Sequence, residues 1–127
     1  MKKILFLIFV IGFLSSCNNT DESSNAITNE LNGEWNLVAV SCFCDPIHLE
    51  AGDHIWTFNL SANMLNIINN VTEDLHTIPD TGVYEISFSE NTVTLLDVEY
   101  DYYFENDRLY LANQPEADGP LIEFIRE

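Results

Sequence analysis

The chain reads as an all-β protein of about eight antiparallel strands closing into an up-and-down barrel, with a two-sheet sandwich as the alternative. Three observations carry this reading. Beyond residue 30, apolar side chains recur at every second position in short runs, the period of a half-buried strand. The runs are joined mostly by short segments rich in Asn, Asp, Ser and Gly, and short connections favour antiparallel neighbours. No stretch beyond residue 16 holds a 3.6-residue apolar period long enough for a helix of any length. Closure would also remove the free edges that an open sheet exposes.

The first strand is expected over 34–43. Gly33 suits a tight turn into it, and Trp35, Leu37 and Ala39 share one face, with Val38 and Val40 on the other. Before it, 28–31 can form one helical turn behind a Thr or Asn cap. Asp45-Pro46 to Gly52-Asp53 reads as a loop. The second strand, 54–60, puts Trp56, Phe58 and Leu60 on one face; Ser61-Ala62-Asn63 can turn. The third, 64–69, carries apolar residues on both parities, so its inner face is open. Asn70 to Gly82 is the longest irregular connection. A fourth strand, 83–88, alternates Tyr84, Ile86 and Phe88 with Glu85 and Ser87. Ser89-Glu90-Asn91 turns into a fifth, 92–96, with Val93 and Leu95 on one face and a corner at Asp97. The sixth, 98–105, alternates most cleanly: Val98, Tyr100, Tyr102 and Phe104 against Glu99, Asp101, Tyr103 and Glu105. Asn106-Asp107 turns into a seventh, 108–112. Asn113 to Pro120 is a loop, and 121–126 is the eighth.

The first residues have a different character. Met1-Lys2-Lys3 is a basic start, Ile4 to Leu14 an apolar run, and Ser15-Ser16-Cys17 follows. That is the layout of a secretory signal peptide over 1–16. The apolar run is too short for an ordinary spanning helix of about 20 residues. Leu14-Ser15-Ser16-Cys17 resembles the bacterial lipobox. The resemblance implies cleavage before Cys17 and lipidation of its thiol, with an acyl chain on its amine. Two or more chains anchor a protein firmly where one does not. Residues 17–30 would then be a lipidated Cys and a flexible tether, and 31–127 a single domain. Asp21-Glu22 weakly resembles the acidic surface-display signal of Bacteroidetes lipoproteins. The expected location is the cell envelope, on the periplasmic or surface side of the outer membrane.

Without residues 1–16, Arg108 and Arg126 stand against 21 acidic side chains, a net charge near -19. Such a surface repels nucleic acid and bare anionic headgroups. Eight Phe, five Tyr and two Trp in the whole chain argue against disorder in the main body.

Gly33-Glu34-Trp35 matches the Gly-x-Trp that opens the first barrel strand of lipocalins. Residues 31–126 resemble the small lipocalin-like lipoproteins of flavobacteria. The shared pattern is Leu31-Asn32-Gly33-Glu34-Trp35, Trp56-Thr57-Phe58, Gly82-Val83-Tyr84-Glu85-Ile86 and Phe124-Ile125-Arg126. The resemblance implies that Arg126 packs over Trp35 and closes one barrel end. It also implies a small apolar or amphipathic ligand, lined by Trp35, Trp56, Phe58, Tyr84, Phe88, Tyr100 and Tyr102. Strands this short can instead leave a barrel filled by its own side chains, which favours a protein-binding or inhibitory envelope module.

Little else in the chain suggests chemistry. Cys42-Phe43-Cys44 is open to three readings: a small strained disulfide, two inert thiols, or an extracytoplasmic metal site completed by His48 or His54. His48, His54 and His76 are scattered, and a lone loop histidine is most often a polar surface residue. Asp97, Glu99, Asp101, Glu105 and Asp107 lack the spacing of a calcium loop and read as a wet strand face. With no phosphate loop, no His-Glu-x-x-His and no Gly-x-Ser-x-Gly, neither an enzyme nor a cofactor is expected.

Overall fold

The computed structural model describes residues 30–42 and 45–127. The signal segment, Cys17, the tether up to residue 29, and Cys44 lie outside the described residues. The strands are β1 (Gly33–Ser41), β2 (Ile47–His48), β3 (His54–Asn59), β4 (Met64–Asn69), β5 (Gly82–Phe88), β6 (Thr92–Leu95), β7 (Val98–Glu105), β8 (Arg108–Ala112) and β9 (Leu121–Ile125). They pair antiparallel in the order β2-β1-β3-β4-β5-β6-β7-β8-β9, and β9 returns to β1. Strands β1 and β3 to β9 therefore form a closed eight-stranded up-and-down barrel of lipocalin-like form. Each lies within two residues of the bounds its alternation suggests, and closure excludes the sandwich.

Two features depart from the sequence pattern. First, β1 pairs Leu37 with Phe124 but Ala39 with Glu123, so one extra residue is inserted opposite β9. Such a bulge flips the parity of everything after it. Val40 is therefore buried and Ala39 only half-buried, the reverse of simple alternation from Trp35. Second, β2 lies inside the segment expected to be a loop. β1 bonds β3 through Gly33–Asn36 and β2 through Ala39 and Val40, so β2 takes the edge that β3 leaves. Two residues are too few to show a period.

Gly33 has φ +108, a backbone region that L side chains rarely adopt. The turns after β6 and β7 each place two residues at positive φ: Leu96 and Asp97 (51° and 64°), and Asn106 and Asp107 (51° and 61°). Both follow the tight hairpin geometry that wants Asn, Asp or Gly at both positions. Leu96, expected as the last residue of its strand, is the outlier, because a left-handed leucine crowds its own carbonyl.

Inside the barrel, Leu37, Trp56, Phe58, Leu65, Ile67, Leu109, Leu111 and Phe124 are each no more than 1% exposed. Leu65 and Ile67 settle the inner face of β4, while Ile68 points out. Trp56 meets Phe124 edge-on at 5.0 Å and Phe58 at 6.2 Å. A side chain bordering a space that holds even one water would expose area to it, so this part of the interior is filled. Ile78, from the long 70–81 connection, is buried against the same cluster.

The two ends differ. One, the Trp35 end, gathers the start of β1, the turns after β3, β5 and β7, and the end of β9. The other, the His54 end, gathers the end of β1, β2, the 70–81 connection, the Leu96–Asp97 turn and the 113–120 loop.

Candidate functional site

At the Trp35 end the Arg126 guanidinium lies 4.0 Å from the centre of the Trp35 ring. Its Nη2 donates to the backbone carbonyls of Glu30 and Asn32, at 2.5 and 2.6 Å. The Trp35 Nε1–H donates to the Leu31 carbonyl at 2.9 Å. The buried indole thus has a partner, as it must, and the cation faces its electron-rich surface. Gly33 suits this position through its backbone, at φ +108, rather than through space: a Cβ there would only touch the arginine, at 3.7 Å. Asn32 Oδ1 accepts from the Leu60 N–H at 3.0 Å, tying the start of the chain to the turn after β3. Phe104 stands 5.8 Å from Trp35. Trp35, Phe104, Arg126, Glu30 and Asp107 line an open pocket of about 340 Å³.

At the other end His54 is fully buried, which corrects its reading as a surface residue. Its Nδ1 accepts from Trp56 Nε1–H at 2.8 Å, and its Nε2 lies 2.9 Å from the Pro79 carbonyl. An indole only donates, so Nδ1 must be bare, and Nε2 carries the proton to Pro79. Burial pushes the His54 pKa below its ordinary 6.5, opposed by the Pro79 carbonyl and by the Asp80 charge. His54 and Trp56 sit two apart on one strand, so they share a face. That spacing was legible; the partner at Pro79, 25 residues on, was not.

The other lining candidates divide. Trp56, Phe58 and Tyr102 are buried, while Tyr84, Phe88 and Tyr100 are half-buried. The Tyr102 hydroxyl donates to the Ser89 and Glu90 carbonyls, at 3.1 and 3.0 Å, and pins the turn after β5. Burial and the Glu90 charge raise its pKa, and burial raises that of Tyr100. The Tyr84 hydroxyl donates to the Asp80 carbonyl at 2.7 Å. Val98 is exposed at the barrel rim rather than inside. On the outer wall Tyr103 and Tyr110 stack at 5.0 Å beside the Arg108–Glu123 ion pair.

The metal reading fails on the described residues. They hold no group of three His, Cys, Asp or Glu that could take an ion. His54 has both nitrogens engaged, and His76 is exposed beside Asp74 at 3.2 Å. His48 is exposed on β2. Cys42, half-buried just past β1, is disulfide-bonded; Cys44 lies outside the described residues.

The barrel wall has one thin place. β6 covers only Ile86–Phe88 of β5, while β4 covers Gly82–Glu85. Where β6 stops, a surface groove of about 470 Å³ opens, lined by Tyr84, Glu85, Thr94, Leu96 and Asp97 among others.

No protein-family model matches the chain, and no characterised protein matches its sequence.

Proposed function

We propose that this chain is an exported, lipid-anchored envelope protein whose barrel is a solid scaffold that binds another protein through its outer surface. The packed interior carries this reading. Ligand-carrying barrels need an apolar space of about 300 Å³ or more, and Trp56, Phe58, Ile67 and Phe124 at the middle of this one are fully buried against each other. The anchor rests on the basic start, the apolar run and Leu14-Ser15-Ser16-Cys17. The first described residue, Glu30, lies at the Trp35 end, so an anchored chain would join its membrane from that side.

The pocket beside Trp35, Phe104 and Arg126 favours a second reading, a small amphipathic ligand held at the barrel mouth rather than within it.

Intact-mass measurement of protein extracted from its native membrane tests both. The expected species begins at Cys17, carries acyl chains, and brings no small molecule with it. An unprocessed or unacylated chain would overturn the anchor. A stoichiometric co-extracted lipid or metabolite would favour the second reading.

A further inference from the structure

Building on the protein-binding reading, we infer that the groove beside β5 takes an extended segment of a cationic partner protein as an added strand. Four observations converge there.

The first is a vacant backbone edge. The Ile86 N–H donates to the Asn63 carbonyl at 2.9 Å, on the β4 side. Hydrogen-bonding directions alternate along a strand. Val83 therefore turns its N–H and carbonyl away from β4, toward the side on which β6 has already ended, next to the groove at Tyr84 and Glu85. An unpaired strand edge is a template for strand addition.

The second is apolar surface held out beside that edge. Val83 is 64% exposed and Leu96 60% exposed. Ile68 is a diagonal neighbour of Val83 on the outer wall, since Asn66 pairs with Val83.

The third is strain. Leu96 occupies a left-handed position that Asn or Gly would fill at lower cost, and its exposed side chain gains little burial in return. A residue that costs stability and contributes little packing is accounted for by contact with something else.

The fourth is charge. Apart from histidine, the described residues hold two cations, Arg108 and Arg126, both at the Trp35 end. The groove is flanked by Glu85 and Asp97, with Glu99 and Asp101 farther along β7. A second copy of this chain, with its net charge near -19 after cleavage, would be repelled. A strand alternating apolar residues with Lys or Arg meets both the apolar and the acidic elements of the groove.

The test uses the full acylated protein in neutral detergent. The probe is a nine-residue peptide alternating Lys and Val; the control is the same peptide with alternate amides N-methylated, which keeps the charge but cannot pair as a strand. Hydrogen exchange of the Val83 amide is expected to slow about tenfold or more with the probe and not with the control. Leu96→Asn is expected to raise the melting temperature, which keeps the fold intact, and to weaken probe binding about fivefold or more. Equal binding of probe and control, an unprotected Val83 amide, or undiminished binding to Leu96→Asn overturns the assignment. Protection of Val83 without peptide, accompanied by dimers in sedimentation, overturns it in favour of self-pairing. None of these outcomes alters the intact-mass result, so this proposal and the reading beneath it fail separately.

Discussion

Trp35→Ala is expected to lower the free energy of unfolding by about 3–5 kcal/mol, the usual cost of deleting a large buried aromatic side chain. The effect reaches beyond lost burial. Trp35 is where three segments meet: its N–H holds the Leu31 carbonyl, its ring face carries Arg126, and Phe104 packs tilted beside it at 5.8 Å. Without the indole, Arg126 loses its platform while still reaching toward the Glu30 and Asn32 carbonyls. A double-mutant cycle between Trp35→Ala and Arg126→Ala, read from urea unfolding, is therefore expected to give a coupling of about 0.5–1 kcal/mol. Full additivity would mean that the arginine over the indole contributes nothing to closing that end.

His54→Leu is expected to cost about 2–4 kcal/mol, although leucine is the more hydrophobic residue. The loss comes from Trp56, whose buried indole N–H would be left without an acceptor. Adding Trp56→Phe to His54→Leu removes the orphaned donor, so the double variant should lose less than the sum of the two single losses.

The same pair gives the barrel a pH dependence. His54 must be neutral to accept from Trp56, and its folded pKa is held below the 6.5 of the unfolded chain. The unfolded state therefore binds the proton first as the solution is acidified. The contribution of the neutral ring is whole above 6.5 and is lost as pH falls through the folded value. The stability gap between wild type and His54→Leu should accordingly narrow from pH 7.5 to pH 5. His48 and His76, exposed in both proteins, cancel in that difference.

Much of this fold was legible because its strands obey their period. β7 is the clearest case: Tyr102 is inside, with Tyr100 and Phe104 half-buried on the same side, as alternation requires. The pattern failed where a single extra residue changed parity, at the β1 bulge, because Val38, Ala39 and Val40 are all apolar and cannot report a flip. It also failed where a contact spans many residues. Nothing local marks Pro79 as the partner of His54, or Ile78 as a core residue in an otherwise polar connection. The groove was hidden for a third reason. It arises from a mismatch in strand length between β5 and β6, which neither strand shows alone.

Aromatic and aliphatic side chains pack the middle of the barrel around Trp56 and Phe124. Diffraction from crystals pressurised with xenon addresses that packing directly, because xenon enters dry apolar cavities that water avoids. The filled interior predicts no xenon among Trp56, Phe58, Ile67 and Phe124. A well-occupied xenon site at the centre of that cluster would contradict it and return the barrel to the ligand carriers.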